Sequence, residues 1–169
     1  MGNPNIGKSV VFSRLTGANV ITSNYPGTTV DFSRGRACLN GELVELIDAP
    51  GTYSLQPTSR AEEAAVEVLG LADLVIDVVD ATNLERNLFL TLQLLESGKP
   101  MIVALNIWDE AQHSGIQIDL QGLEQRLAVP VVPTVALTGE GIKELRAAIG
   151  RVFPTKNIAR VGRASPKDE

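Results

Sequence analysis

A chain of 169 residues and 18.0 kDa suits one domain whose core is large enough to need neither disulfides nor metals. Its formal net charge is -5, and its basic residues are scattered apart from a short cluster near the C-terminus, so no stripe exists to neutralise a phosphate backbone and nucleic acid is not expected as a partner. The one cysteine, Cys38, cannot close an internal disulfide, no apolar run approaches the roughly 20 residues that span a bilayer, and the polar, glycine-containing start is no signal peptide; a soluble, cytoplasmic domain is expected.

The first stretch is Gly2-Asn3-Pro4-Asn5-Ile6-Gly7-Lys8-Ser9, which satisfies G-x-x-x-x-G-K-[ST] and continues from Val10 as VVFSRLTG, an apolar helical stretch closed by Gly17. In such a loop successive backbone N–H groups and the helix N-terminus cradle phosphate oxygens, the lysine reaches the β- and γ-phosphates, and the serine hydroxyl ligates magnesium. The expected phosphate-binding set is therefore Asn3, Pro4, Asn5, Ile6, Gly7, Lys8, Ser9 and Val10, with an ordinary glycine-containing turn as the plainer alternative. Next, FSRGRACLNGELVEL carries Asn40-Gly41, a hairpin signal that places Arg34 to Leu39 antiparallel at a sheet edge.

Four continuous apolar runs follow: ELVELIDAP (42–50), ADLVIDVVDA (72–81), PMIVALNIWD (100–109) and PVVPTVAL (130–137). Parallel strands buried on both faces read this way. Between and after them SRAEEAAVEVLGL, NLERNLFLTLQLLESG, LQGLEQRLAV and GIKELRAAIGRVF repeat apolar residues every three or four positions, as amphipathic helices do. Alternating strand and helix define an α/β sheet with helices on both faces. TKNIARVGRASPKDE loses the periodicity, so 1–153 is read as the domain and 154–169 as a linker or disordered tail.

Three strand ends carry further chemistry. Asp48-Ala49-Pro50-Gly51 places a carboxylate where it can hold magnesium through water and an amide, that of Gly51, where it can meet a γ-phosphate. Asn106-Ile107-Trp108-Asp109 offers a carboxylate that can accept from both N1–H and the 2-amino group of guanine; adenine lacks the second donor and would leave Asp109 unpaired. Val135-Ala136-Leu137 ends the last strand, where the Ala136 amide can contact the guanine carbonyl. Turn and cap roles are the alternatives for each, but ligands gather at the carboxyl ends of parallel strands, where all of these converge. Cys38 is read as structural, His113 as part of a solvated loop, and Trp108 either as a neighbour of the base or as a core aromatic.

GNPNIGKS, NYPGTTVD, DAPGTYSL, VVDATNLERNLFLTLQLLESGKP, ALNIWDEAQHSGIQID and VPVVPT followed by TGEGI resemble the cytoplasmic G domain of ferrous iron transport protein B (FeoB) from Gly2 to about Phe153. The resemblance implies a three-layer Ras-like P-loop GTPase sheet, mostly parallel with one antiparallel edge strand. It also implies GTP and GDP as ligands, magnesium held by Ser9, Thr29 and Asp48, and Lys8, Thr29 and Gly51 as catalytic groups. Switch I would be Gly27, Thr28, Thr29, Val30 and Asp31, with Thr28 the competitor of Thr29; switch II would be Asp48, Ala49, Pro50 and Gly51, extending to about Arg60. Asn106, Ile107, Asp109, Val135, Ala136 and Leu137 would form the guanine site. Asn5 is similar to the asparagine that places potassium beside the phosphates in potassium-activated members, a turn residue tolerant of a left-handed conformation being an equal alternative. The implied partner is a membrane permease, with the domain at the cytoplasmic face of the inner membrane.

Departures shape the expectation. Thr52 stands where Ras-like enzymes have a water-orienting glutamine, so hydrolysis should be slow; Ile107 replaces a common lysine, and Val135 a common serine. Only Met1 precedes Gly2, so the buried strand that feeds the phosphate loop, between the strands ending at Asp48 and Ala81, is expected to be missing. NIARVG (157–162) faintly resembles the family's strand and could return to fill the place, against which Arg160 would bury a charge. Two rival readings are a guanine-nucleotide module with little or no hydrolysis and a ribosome- or RNA-associated GTPase. No iron ligand cluster is visible in the sequence.

Overall fold

The computed structural model describes residues 1–17, 20–24, 31–39 and 42–153. The expectations for Gly27 to Val30, for the Asn40-Gly41 turn and for residues 154–169, NIARVG among them, lie outside the described residues. In chain order the elements are α1 (Lys8–Thr16), β1 (Val20–Asn24), β2 (Asp31–Leu39), β3 (Glu42–Asp48), α2 (Arg60–Leu71), β4 (Val75–Asp80), α3 (Leu84–Glu96), β5 (Met101–Asn106), α4 (Trp108–His113), α5 (Leu120–Leu127), β6 (Val131–Pro133) and α6 (Ile142–Val152).

Three strands, β1-β2-β3, pair antiparallel, and three, β4-β5-β6, pair parallel. Between the two sets, Met1 and Gly2 run beside β4: the Val78 N–H donates to the Met1 carbonyl at 3.1 Å, Gly2 bridges Val78 in parallel, and the Thr52 N–H donates to the Gly2 carbonyl at 3.2 Å. This is the place assigned to the strand that feeds the phosphate loop, and among the described residues these two hold it. The partly buried Val44 and Leu46 of β3, Leu74 just before β4 and Ile76 of β4 pack against the core on one side of it.

Strand β5 shows why the apolar runs are continuous. All six of its residues are buried, and alternate side chains enter different cores. Ile102 and Ala104 face Val11 and Leu15 of α1 and Leu145 and Ile149 of α6, whereas Met101, Val103 and Leu105 face Leu69 of α2 and Leu90 and Leu94 of α3. A period of two laid between two helical layers therefore requires apolar residues at every position. Helix starts follow local chemistry: the Ser59 hydroxyl caps α2 by accepting from the Glu62 N–H, and the Asp119 carboxylate caps α5 at the Gly122 N–H.

Three expectations are corrected. Arg34 to Leu39 runs antiparallel within β2, but Arg34 and Gly35 are not at the edge, because β1 pairs with β2 from Val20↔Gly35 to Asn24↔Asp31; Arg36 to Leu39 pair with β3 alone among the described residues. The last parallel strand stops at Pro133, and Val135-Ala136-Leu137 lies beyond it in a turn closed by the Val135–Glu140 bridge. His113 ends the short helix α4 instead of lying in a loop. Cys38 stands on β2 with its side chain exposed.

The buried Asp77 of β4 is the one acid in this core, and the Thr91 hydroxyl of α3 donates to it at 2.7 Å. Burial pushes its carboxyl up to about 6, against the opposing pull of the Thr91 hydrogen bond and the positive charges of the chain's first amine and Lys8. The folded protein thus keeps a proton that the unfolded chain releases near its ordinary value, so this group's contribution to stability is full at low pH and lost as pH rises through about 6. Asp77→Asn should remove that slope: relative to the parent, the variant should gain on the order of 2 kcal/mol between pH 4 and pH 7 in urea unfolding. A constant difference across this range would show that Asp77 titrates normally.

Candidate nucleotide site

The phosphate loop is held by its own backbone. Gly7 takes a left-handed conformation, φ 88°, at the start of α1, and a Cβ there would lie 2.5 Å from Asn106 Nδ2, so both backbone and neighbour demand glycine. Asn5 is exposed and also left-handed, φ 62°. The Lys8 ammonium donates to the Asn3 carbonyl at 2.8 Å, which arches its side chain over the loop. Burial lowers its pKa, while the charges of Asp48 and Asp77 oppose that shift.

An open cleft of about 290 Å³ lies among Pro4, Asn5, Gly7, Lys8, Ser9 and Gly51. A neighbouring recess of about 280 Å³ shares Lys8, Ser9 and Gly51 and adds Asp48 from the end of β3. Ser9 and Asp48 thus present two hard oxygen donors beside an ammonium and a row of backbone N–H groups, a donor set suited to magnesium together with phosphate. Gly51 is pressed against the loop: a Cβ would come within 2.9 Å of Pro4 Cα and 3.0 Å of Lys8 Nζ. Its amide can therefore approach a terminal phosphate more closely than any other residue type would permit.

Beyond Gly51, the side chain of Thr52 is fully buried and donates to the Ser54 carbonyl at 2.6 Å, with Glu62 Oε1 3.4 Å away. It is committed to its own loop. The same segment is tied outward, because Glu62 Oε2 accepts from both the N–H and the hydroxyl of Thr58 at 2.8 Å and Gln93 of α3 accepts from the Leu55 N–H at 2.6 Å. These hydrogen bonds to Thr58 and Thr52 hold the Glu62 carboxyl below its ordinary range.

At the other end of the cleft Asn106, buried at the end of β5, joins three segments. Its Nδ2 donates to the Ile6 carbonyl at 2.9 Å, and its Oδ1 accepts from the Thr134 hydroxyl at 3.1 Å and from the Ala136 N–H at 3.0 Å. The Ala136 amide, expected to meet a guanine carbonyl, is thus engaged with Asn106. Ile107 turns the chain through a left-handed conformation, φ 60°, into α4, whose first turn carries Asp109 exposed and without a hydrogen bond among the described residues. Trp108 is partly buried and packs against the core of the α2–α3 side, as its core reading expects. Val135 and Ala136 are buried, and Leu137 is exposed.

Sequence reasoning missed the residues that support this arrangement from a distance: Thr134, Glu62, Gln93 and Arg14. None was given a role there, and only their positions on packed helices and a turn bring them in. Among the described residues no group of three or more His, Cys, Asp or Glu side chains could hold a metal ion, and no helix is long and apolar enough to cross a membrane.

The family model for ferrous iron transport protein B matches residues 1–149. The Fe(2+) transporter FeoB of Shigella flexneri is 46% identical over 172 aligned positions, which cover 98% of this chain and 22% of that protein, so the chain spans about a fifth of its relative. Among solved structures, the cytosolic domain of the T. maritima FeoB iron transporter in its GMPPNP form is 42% identical with a TM-score of 0.86, covering 95% of this chain and 64% of that one. The FeoB G domain from Methanococcus jannaschii is 43% identical with a TM-score of 0.79, covering 90% of this chain and 94% of that one.

Asn106→Ala should cost about 2–3 kcal/mol in urea unfolding, because it strands the buried Ile6 carbonyl and Ala136 N–H together. A loss under about 0.5 kcal/mol, the size of an ordinary surface substitution, would mean that the two loops do not depend on it.

Proposed function

The chain belongs to the ferrous iron transport protein B family as its G domain, and from that premise we propose that it binds GTP and GDP, hydrolyses GTP slowly, and couples nucleotide state to a membrane permease for ferrous iron. The observation that carries the nucleotide reading is Asn106, which ties the phosphate loop to the turn at Ala136, with Asp109 exposed three residues beyond it in the first turn of α4. Phosphates lie against the N–H groups from Asn3 to Val10, with Lys8 withdrawn from the Asn3 carbonyl to reach them. Ser9, Thr29 and Asp48 would hold magnesium, which would supply positive charge to offset that of the phosphates. Asp109 accepts from N1–H and the 2-amino group of guanine.

Thr52, turned into its own loop, cannot orient the attacking water as a glutamine would. The water is then placed by Thr28 or Thr29, by backbone groups, or with the help of a potassium ion beside Asn5, whose exposed side chain borders the phosphate cleft. A potassium ion held there would supply positive charge where other GTPases use an arginine finger. The same geometry of Thr52 favours, as a second reading, a switch that binds without useful hydrolysis, and single-turnover kinetics separates the two. Because the described helices include none that crosses a membrane, the permease in this reading is a partner or a further part of a longer protein, and the domain works at the cytoplasmic face of the membrane.

Calorimetric titration with GDP, GMPPNP and ATP tests the core of the reading; guanine-selective binding supports it, and equal affinity for ATP defeats it. Asp109→Asn should weaken GDP by at least about a hundredfold while admitting xanthosine diphosphate, because the new amide donor opposes the 2-amino group of guanine and meets the 2-oxo group of xanthine. In single-turnover assays potassium should accelerate hydrolysis over sodium, and Asn5→Ala should erase that difference. Equal rates in the two salts would remove potassium from the mechanism.

A further inference from the structure

We propose that Arg14, on the solvent side of α1, is a positioning residue that fixes the guanine-contacting turn to the helix holding the phosphates and thereby sets how long a nucleotide stays bound. The inference rests on the guanine-nucleotide reading and concerns a residue outside every nucleotide-binding motif. Its basis is where the N–H groups of Val135 and Ala136 and the carbonyls of Val135, Ala136 and Leu137 find partners. The Val135 N–H donates to the Glu140 carbonyl at 3.0 Å, and the Ala136 N–H to Asn106. The Val135 carbonyl accepts from the N–H groups of Thr138 and Gly139 at 3.1 and 2.8 Å. That leaves the carbonyls of Ala136 and Leu137, and Arg14 takes both: Nε donates to Ala136 O at 2.9 Å and Nη2 to Leu137 O.

The guanidinium is a rigid fork, so two carbonyls held by one side chain are held relative to each other. A Cβ on Gly139 would lie 3.5 Å from Arg14 Nη1, which places the fork inside the turn. A second arginine locks the base of the clamp: Arg146 Nη2 of α6 donates to the carbonyls of Arg14 and Leu15 at 3.2 and 2.7 Å. Lys8 and Arg14 stand six positions apart on one helix, so the phosphate end and the base end of the site are spaced by α1. Without the clamp Asn106 still ties the Ala136 N–H to the phosphate loop, but the carbonyls of Ala136 and Leu137 are no longer held to α1 and the tip of the turn gains freedom. A nucleotide must then order the turn as it binds, which raises the dissociation rate.

The test compares the parent with Arg14→Ala, Arg14→Lys and, as a charge-matched control, Arg151→Ala on the exposed last turn of α6. Release of a fluorescent GDP analogue should be about tenfold faster in Arg14→Ala, and the KM for GTP should rise with kcat unchanged, because two charged hydrogen bonds are lost away from the phosphates. Arg14→Lys, which keeps the charge but not the fork, should fall between the two, and the control should match the parent. Amide hydrogen exchange over 135–139 in nucleotide-free protein should speed up in Arg14→Ala only. Parent-like release in Arg14→Ala, full rescue by lysine, or unchanged exchange in the turn each overturns the clamp. A parent protein that binds no guanine nucleotide overturns the reading under Proposed function, while the exchange measurement still decides whether Arg14 holds the turn.

Discussion

One buried carboxamide carries the geometry of the site. Asn106 spends its donor on the carbonyl of Ile6 in the phosphate loop and its acceptor on Thr134 and Ala136, so two loops far apart in sequence share one rigid body. Its own place is set by β5, buried on both faces and paired on both edges, which leaves the side chain little freedom. A buried polar group bonded through both its nitrogen and its oxygen is a strong constraint, since any displacement strands at least one partner away from water. Glycine at position 7 belongs to the same constraint, because any side chain there would collide with the Asn106 amide.

The sheet explains why these groups meet. Parallel strands β4, β5 and β6 deliver their carboxyl ends to one edge, and the loop that ends in α1 crosses the same edge. Two cores, one under α1 and α6 and one under α2 and α3, hold β5 from both sides. In the proposed reading the phosphates belong near Lys8, Ser9, Asp48 and Gly51 and the base near Asp109 and Ala136, with α1 and Asn106 as the two spacers between them.

The segment after Gly51 is fastened on its outer side. Thr52 turns inward, Glu62 gathers Thr58, and Gln93 holds the Leu55 amide, so the loop's conformation depends on α2 and α3 as well as on what lies in the cleft. Under the proposed switch function this would be the physical route from the cleft to the outer helices: Gly51 packs against the phosphate loop, and the residues following it are bonded to α2 and α3. The exposed Tyr53, stacked under Arg86 of α3, extends the same connection to the surface.

Much of this was legible in residues alone. Gly2 to Ser9 names a phosphate loop because only glycines and an amide-rich turn allow that approach, and continuous runs such as MIVALN name strands buried on both faces because period-two alternation between two cores needs apolar side chains throughout. The six-residue α4 and strand β1 were not legible, since VITSN and WDEAQH are too short or too polar for periodicity to mark them and are stabilised by neighbours. Sequence likewise placed Val135 to Leu137 on a strand, where apolar character was taken for extended backbone; the turn forms because Asn106, Glu140 and Arg14 satisfy its backbone groups one by one. What the sequence by itself determined, then, is the chemistry offered and the layers that bury it, both properties of local pattern. Only the tertiary structure decided that the Ala136 amide meets Asn106, that Thr52 faces its own loop and that Arg14 reaches the far side of the site, because each depends on the packing of segments up to 123 positions apart, which local pattern does not encode.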